Sequence, residues 1–340
     1  MAIVSMPNSP RLPSAAAPSR RWRDVAVLAG LLALVAAGLA GLAAATGWRE
    51  TWAAMGRLTA GEVGVLLALS LANYSMRGMR WHLFAWRLGV PVRVGQNLLY
   101  FLAGFAMSVT PGRLGELVRM RWIGRETGWR IERAAPMLLA DRAADLASMG
   151  LLLALALAMS AGGIEGGLPV AVLALAAAAV VTRPALLKAL ANAGHRATRR
   201  RWHRFFARIR RAARALGAFS GPGVLIGAGA LGMAGWAFEG WALHLLLGWM
   251  GADLGFWTAL GVFTLATLAG GLTGAPGGLG GAEAAMVALL ALNNVPVEVA
   301  VPATLIIRLT TLWFAIGIGL CLFPLAERAA KRAGHALEKN

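Results

Sequence analysis

Cysteine is almost missing from this sequence. The one thiol, Cys321, lies inside the last apolar run, so an intramolecular disulfide is excluded and nothing points to an oxidising compartment. The histidines, at positions 82, 195, 203, 244 and 335, show no paired metal-ligand spacing. With a single cysteine they cannot complete a structural zinc set, and no metal and no cofactor is expected. There is no glycine-rich phosphate loop of the kind that binds ATP, so no nucleotide is expected to drive the protein. Charge is scarce as well. Charged residues make up 14% of the 340-residue chain, against about a quarter in soluble domains. What fills the space is hydrophobic, at 58% with a mean hydropathy of +0.64, and this composition makes the chain an integral membrane protein. Acids are the scarcer sign, 15 against 33 lysines and arginines. The resulting +18 does not suggest nucleic acid as a partner, because the basic residues concentrate between apolar runs, where they set membrane orientation.

A helix needs about 20 apolar residues to cross the hydrocarbon core. Six stretches qualify: 24–46, 60–78, 134–160, 167–183, 220–249 and 297–323. Residues 1–23, rich in Pro, Ser and Ala and ending in a basic cluster, read as a disordered tail. The apolar run behind them is too long for the core of a cleavable signal and is expected to be a retained first span. Two further apolar stretches, 97–111 and 255–275, are shorter and end at Pro-Gly. Segments 77–96, 112–133 and 183–214 are basic and expected in the cytoplasm; 161–168, 250–254 and 293–298 carry only Glu165, Asp253 and Glu298 and are expected outside. The run 97–111 therefore lies between two cytoplasmic segments, and 255–293 between two external ones. Both read as re-entrant hairpins, entering from opposite sides.

The two breaks share a motif. TPGRLGELVRM (110–120) and APGGLGGAEAAM (275–286) both contain Pro-Gly-x-Leu-Gly. Arg142 follows Pro111 by 31 residues and Arg308 follows Pro276 by 32. This register predicts an all-α integral membrane protein built as an inverted repeat, a bundle of about six full spans plus two broken-helix hairpins, with both termini cytoplasmic. The first repeat is expected over 24–160 with its hairpin at 97–124. The second covers 161–323, with a cytoplasmic basic amphipathic helix at 184–216 and its hairpin at 255–293, and 324–340 form a cytoplasmic tail. Pro111 and Pro276 stop the first half-helices, while Gly112, Gly115, Gly277, Gly278 and Gly280 allow positive φ and close approach. Irregular backbone at membrane depth must be buried in protein or line a wet cavity. The half-helix N-termini that follow the breaks suit an anionic group such as phosphate.

At these residues the sequence resembles the flippase-like membrane family that includes the transmembrane region of lysyl-phosphatidylglycerol synthases. The resemblance rests on RGMRWHLFAWRLGV (77–90), GFAMSVTPGRLGELVRM (104–120), LLADRAADL (138–146), PGGLGGAE (276–283) and LIIRLTTLW (305–313), and it covers most of residues 60–323. It implies a translocase that moves a phospholipid or related lipid headgroup between leaflets of the cytoplasmic membrane. The synthases continue into a soluble aminoacyl-transferase domain, whereas this sequence stops at Asn340, so no synthase active site, and no enzyme, is expected.

Ionisable side chains inside spans are costly and mark function by default. Asp141 and Asp145 share a helix face, with Arg142 three residues before Asp145. The three fit either a phosphate-gripping arginine with charge-setting acids or a structural ion-pair network. Arg113 and Glu116 sit at the first break and are read as substrate contacts, whereas Arg119 and Arg121 are read as topology determinants. Glu283 and Arg308 fit a mutual ion pair or a pair that substrate separates. Glu239, the lone acid of its span, fits an ion-coupling role or a partner for an arginine. Trp22, Trp48, Trp81 and Trp257 read as interfacial residues. In the stretch 199–219, Trp202, Phe205, Phe206, Ile209, Ala213 and Leu216 fall on one face and arginines on the others, suiting the inner leaflet or a simple orientation signal.

The expected function is lipid translocation through a polar cavity between the hairpins. Membrane lipids, either anionic phospholipid or a lipid-linked headgroup, are the expected partners; a separate lipid-synthesising enzyme and a homo-oligomer stay open. Transport of a small water-soluble anion and a non-transporting subunit of a lipid-modifying complex are the alternatives.

Overall fold

The computed structural model of the chain describes residues 52, 53, 56, 58–108, 114–129, 131–160, 167–198 and 202–338. The readings on the tail 1–23, the span 24–46, Trp22, Trp48, Pro111, Gly112 and Arg113 lie outside the described residues, as does the side chain of Glu116. The described residues are overwhelmingly helical, with no strand among them.

Helix α1 (Ala60–Arg87) opens with a capping box: the Thr59 hydroxyl accepts from the Glu62 amide at 3.2 Å, and the Glu62 carboxylate accepts from the Thr59 amide at 2.7 Å. Its 28 residues reach about 42 Å, but a polar stripe in its second half leaves it less apolar than the span expected over 60–78. Helix α2 (Val94–Ala103) and a 3₁₀ turn (Gly104–Met107) precede the first Pro-Gly; α3 (Leu114–Thr127) follows it, packs beside them and has Gly115 and Glu116 in its first turn. Then come α4 (Ile131–Met159), α5 (Gly167–Thr182), α6 (Pro184–Ala197), α7 (His203–Leu216) with a 3₁₀ turn (Gly217–Phe219), and α8 (Pro222–Trp249). The second hairpin is α9 (Phe256–Leu272), a short turn at Pro276–Gly278, and α10 (Gly281–Leu292). Helix α11 (Val297–Arg308) runs through a π-helical turn (Leu309–Trp313) directly into α12 (Phe314–Glu338).

Among the described residues two helices are long and apolar enough to cross a membrane, Pro136–Met159 and the continuous Val297–Gly334. Two bent pairs add to them: α5 with α6, meeting at 98°, and α7 with α8, meeting at 89°. In each pair one member is apolar, α5 and α8, and the basic member, α6 or α7, turns away from it at nearly a right angle. Phe206, Ala213 and Leu216 of α7 are buried, whereas Trp202 and Phe205 on the same helix are exposed. The apolar face foreseen there is thus split between packing onto the bundle and an uncovered edge.

The apolar interior forms two clusters, one around each hairpin. In the first, Tyr100, Phe101, Phe105, Trp122 and Ile123 of the α2–α3 hairpin pack on α1 and α12. In the second, Val262, Phe263, Ala266, Met286 and Leu290 of the α9–α10 hairpin pack on α8 and α11. Trp81 belongs to the first cluster and is fully buried, its ring tilted against that of Phe101 at 6.4 Å between centroids. This corrects its reading as an interfacial tryptophan: α2 folds back over the face that carries it. A layer of buried polar groups accompanies the clusters, including Asn73, Arg80, Arg119, Asp141, Asp145, Ser148, Glu239 and Glu283.

Candidate functional site

A cavity of about 550 Å³ lies between the two hairpins. The first hairpin contributes Gly104, Phe105 and Arg119, the second Thr267, Gly271, Gly277 and Gly278, and the surrounding helices Asn73, Arg77, Arg142, Asp145, Trp236, Glu239 and Arg308. Four arginines thus face two acids among the described lining residues. At low effective dielectric that excess attracts an anion strongly.

The second break reaches its shape through glycine. Gly277, Gly278 and Gly280 have φ values of 65°, 70° and 81°, in the left-handed region that side chains disfavour. The turn brings the Gly277 carbonyl to the cavity, where Arg308 Nη2 donates to it at 2.9 Å. Arg308 Nε donates to Glu283 Oε1 at 2.5 Å. Arg308 therefore ties α11 to both the break and the helix after it. The ion pair between Glu283 and Arg308, one of the two readings left open by the sequence, is formed, and Arg308 still faces the cavity.

On the opposite side, Asp145 is a hub. Its Oδ1 accepts from Arg80 Nη2 at 2.7 Å and Trp236 Nε1 at 3.1 Å, and its Oδ2 from Arg77 Nη2 at 3.2 Å, with Arg142 Nη1 at 3.6 Å. Arg77 also lies over the Trp236 ring, 4.8 Å from its centroid. Asp141 sits behind this hub: its Oδ1 accepts from Arg80 Nε at 3.0 Å and Nη2 at 2.7 Å. Asp141 and the 0%-exposed Arg80 are not among the lining residues, so both belong to the support and not to the cavity wall.

Arg119 is the residue whose position departs furthest from the sequence reading. It is 4% exposed, not at the surface, and its guanidinium lies 4.1 Å from the Phe101 ring centroid and 5.1 Å from that of Phe105. No ion pair among the described residues involves it, and its Nε has no hydrogen-bond partner. Gly104 makes room for it: a Cβ there would meet Arg119 Nε at 2.2 Å. Arg121, by contrast, is exposed, as an orientation determinant should be. Of the residues singled out from sequence, Arg142, Asp145, Glu239, Gly277, Gly278 and Arg308 line the cavity; Glu283 supports it through Arg308.

The other wall is apolar. Leu173 and Ala177 of α5 and Leu268 and Leu272 of α9 line the same cavity, and Leu173 and Leu272 are 65% and 78% exposed. Two leucines on neighbouring helices, α5 and α9, are thus both cavity-lining and largely uncovered, as residues at a cavity mouth are. The cavity thus joins a charged interior to an apolar rim.

No group of three or more histidine, cysteine or acidic side chains that could hold a metal ion occurs among the described residues. No individually curated protein matches the sequence. The family described as lysylphosphatidylglycerol synthase TM region matches residues 24–319, a stretch that includes both hairpins and every cavity-lining residue. With this match over most of its length, the chain is a membrane protein that belongs to the lysylphosphatidylglycerol synthase transmembrane-region family.

Proposed function

We propose that the protein moves a phosphate-bearing lipid, phospholipid or glycolipid, between leaflets of the cytoplasmic membrane. The observation that carries the reading is the convergence of Arg77, Arg119, Arg142 and Arg308 on one cavity whose far wall is apolar and opens beside Leu173 and Leu272. The arginines take the phosphate, by charge-assisted hydrogen bonds and by field. The acyl chains stay in lipid through the α5–α9 opening. That lateral mouth favours a lipid over a small soluble anion, whose site would be expected to close against hydrocarbon.

In this proposal both hairpins are re-entrant and the two halves are related by an in-plane pseudo-two-fold axis, as the charge flanks and the repeated Pro-Gly-x-Leu-Gly suggest. The correspondence of Arg142 and Arg308 is supported by their placement on the walls of one cavity. Arg113 and Glu116, at the first break, are proposed to complete the site together with Asp145, Glu239 and Glu283. Asp141 acts at one remove, by holding Arg80. Rocking of one half against the other would expose the cavity to each leaflet in turn.

The test is reconstitution. Lipid that copurifies with the protein, identified by mass spectrometry, is placed in vesicles and its leaflet exposure followed with a membrane-impermeant reagent. Wild-type protein should equilibrate the lipid between leaflets, and Arg142→Ala and Arg308→Ala should each slow this by about tenfold or more, the weight of a lost charged hydrogen bond. Full activity in both variants would remove these residues from the path and the proposal with them.

A further inference from the structure

Three of the four buried acids near the cavity are occupied. Asp141 is held by Arg80, Asp145 by Arg77, Arg80 and Trp236, and Glu283 by Arg308. Glu239 is different. It is 3% exposed and lines the cavity, and no hydrogen bond or ion pair among the described residues involves it; Glu283 Oε2 is unpartnered like Glu239 Oε2, but Glu283 keeps Arg308 on its other oxygen. Glu239 lies midway along α8, within electrostatic reach of Arg77 on α1 and Arg308 on α11. From α1 the Tyr74 side chain also faces it, but that hydroxyl donates to the carbonyl of Thr311. Helix α4 presents Arg142 and Asp145 to the same cavity and α3 presents Arg119, while α9 has no ionisable residue.

We infer that Glu239 is a proton-binding site that loads together with the substrate phosphate. The inference rests on the translocation reading above. A buried carboxylate without hydrogen bonds persists as an anion only while neighbouring cations compensate it. A phosphodiester that settles on Arg77 and Arg308 cancels that compensation. The carboxylate then takes a proton from cavity water onto Oε2, forming an O–H bond and leaving a neutral acid. When the headgroup leaves on the other side, the arginines are uncovered and the proton returns to water there. One negative phosphodiester and one proton cross together, so the cargo is neutral, the membrane potential exerts no net force on it, and a pH gradient can drive it. Linkage makes the coupling reciprocal: if bound headgroup favours the proton, bound proton favours the headgroup by the same factor.

The test uses the full-length protein in detergent and dihexanoyl-phosphatidylglycerol, whose phosphodiester stays ionised throughout the experiment. Calorimetric titration in buffers of different ionisation enthalpy counts the protons taken up on binding. About one proton per headgroup is expected on the alkaline side, where affinity should fall by up to about tenfold per pH unit. In Glu239→Gln both the uptake and the pH slope should vanish; in Glu239→Asp the uptake should persist. Binding by wild type without proton uptake overturns the inference while leaving translocation standing, and so does uptake that survives in Glu239→Gln. No headgroup binding at any pH removes the phosphate site itself, and both proposals fail. Should Glu239→Gln not fold, the wild-type proton count decides alone.

Discussion

Replacing Arg80 by methionine separates support from site. Arg80 is fully buried and donates to Asp141 Oδ1 twice, at 3.0 and 2.7 Å, and to Asp145 Oδ1 at 2.7 Å. Asp145 retains Arg77 and Trp236 when Arg80 is lost, but Asp141, 2% exposed, keeps no ion-pair partner among the described residues. Breaking a buried ion pair from one side costs about 3–5 kcal/mol, because the remaining charge is left uncompensated. For a helical domain of this size that is a fall in melting temperature of roughly 10 °C. Removing both charges by Arg80→Met with Asp141→Leu should restore most of the loss, since neither desolvation nor attraction then remains. The measurement is thermal unfolding in detergent, followed by size-exclusion fluorescence, for the two single variants and the double. The expected signature is a large favourable coupling between the two sites. If Arg80→Met melts with wild type, or if the double variant falls by the sum of the singles, Arg80 does not brace Asp141 and the division between scaffold and cavity wall is wrong.

Further outcomes follow from the same geometry. Gly104→Ala should expel the Arg119 guanidinium from its rings and slow inter-leaflet movement, and the double variant with Arg119→Ala should be no slower than either single, since the alanine acts only through the arginine. Glu283→Gln removes the carboxylate that competes for Arg308; headgroup affinity should rise by about tenfold while release, and so transport, slows. Trp202, exposed beside Phe205 on α7, should be quenched by brominated acyl chains in vesicles, whereas Trp81 and Trp122, fully buried, should not. A Trp202 signal indifferent to bromination would take α7 off the bilayer surface.

Much of the architecture was legible because two signals are strong in this sequence. Alternating apolar runs and arginine-rich segments mark membrane helices, and α4, α8 and the α11–α12 run fall close to the expected spans. The glycine break after α9 was legible too, since Gly277, Gly278 and Gly280 adopt the positive φ their residue type permits. The spacing of Asp141 and Asp145 correctly placed both on one face, where Arg80 bridges them. What the sequence concealed was the direction in which its basic residues point. Arg77, Arg80 and Arg119 sit among arginines that set orientation, and composition cannot separate a buried arginine from a solvated one. A signal for the first two was present: Ser70, Asn73, Arg77 and Arg80 recur at helical spacing and form a polar stripe on α1. Arg119 had no such local mark. Its burial depends on Gly104 and two phenylalanines of α2 and its 3₁₀ turn, a contact between segments on either side of the first Pro-Gly.

The widened turn at Leu309–Trp313 begins one residue after Arg308. Such a turn accommodates one residue more than an α-helix would, so everything beyond it is rotated by about 100° from the face an uninterrupted helix would present. In that rotated setting Glu327 accepts from Trp122 Nε1 at 2.7 Å and from Arg125 Nη1 at 2.8 Å, which clasps the far end of α12 to the first hairpin. Excising a single residue from the loosened turn would let the rod wind regularly, swing Glu327 off its partners and unfasten one hairpin, while leaving Arg308 at its post beside the other.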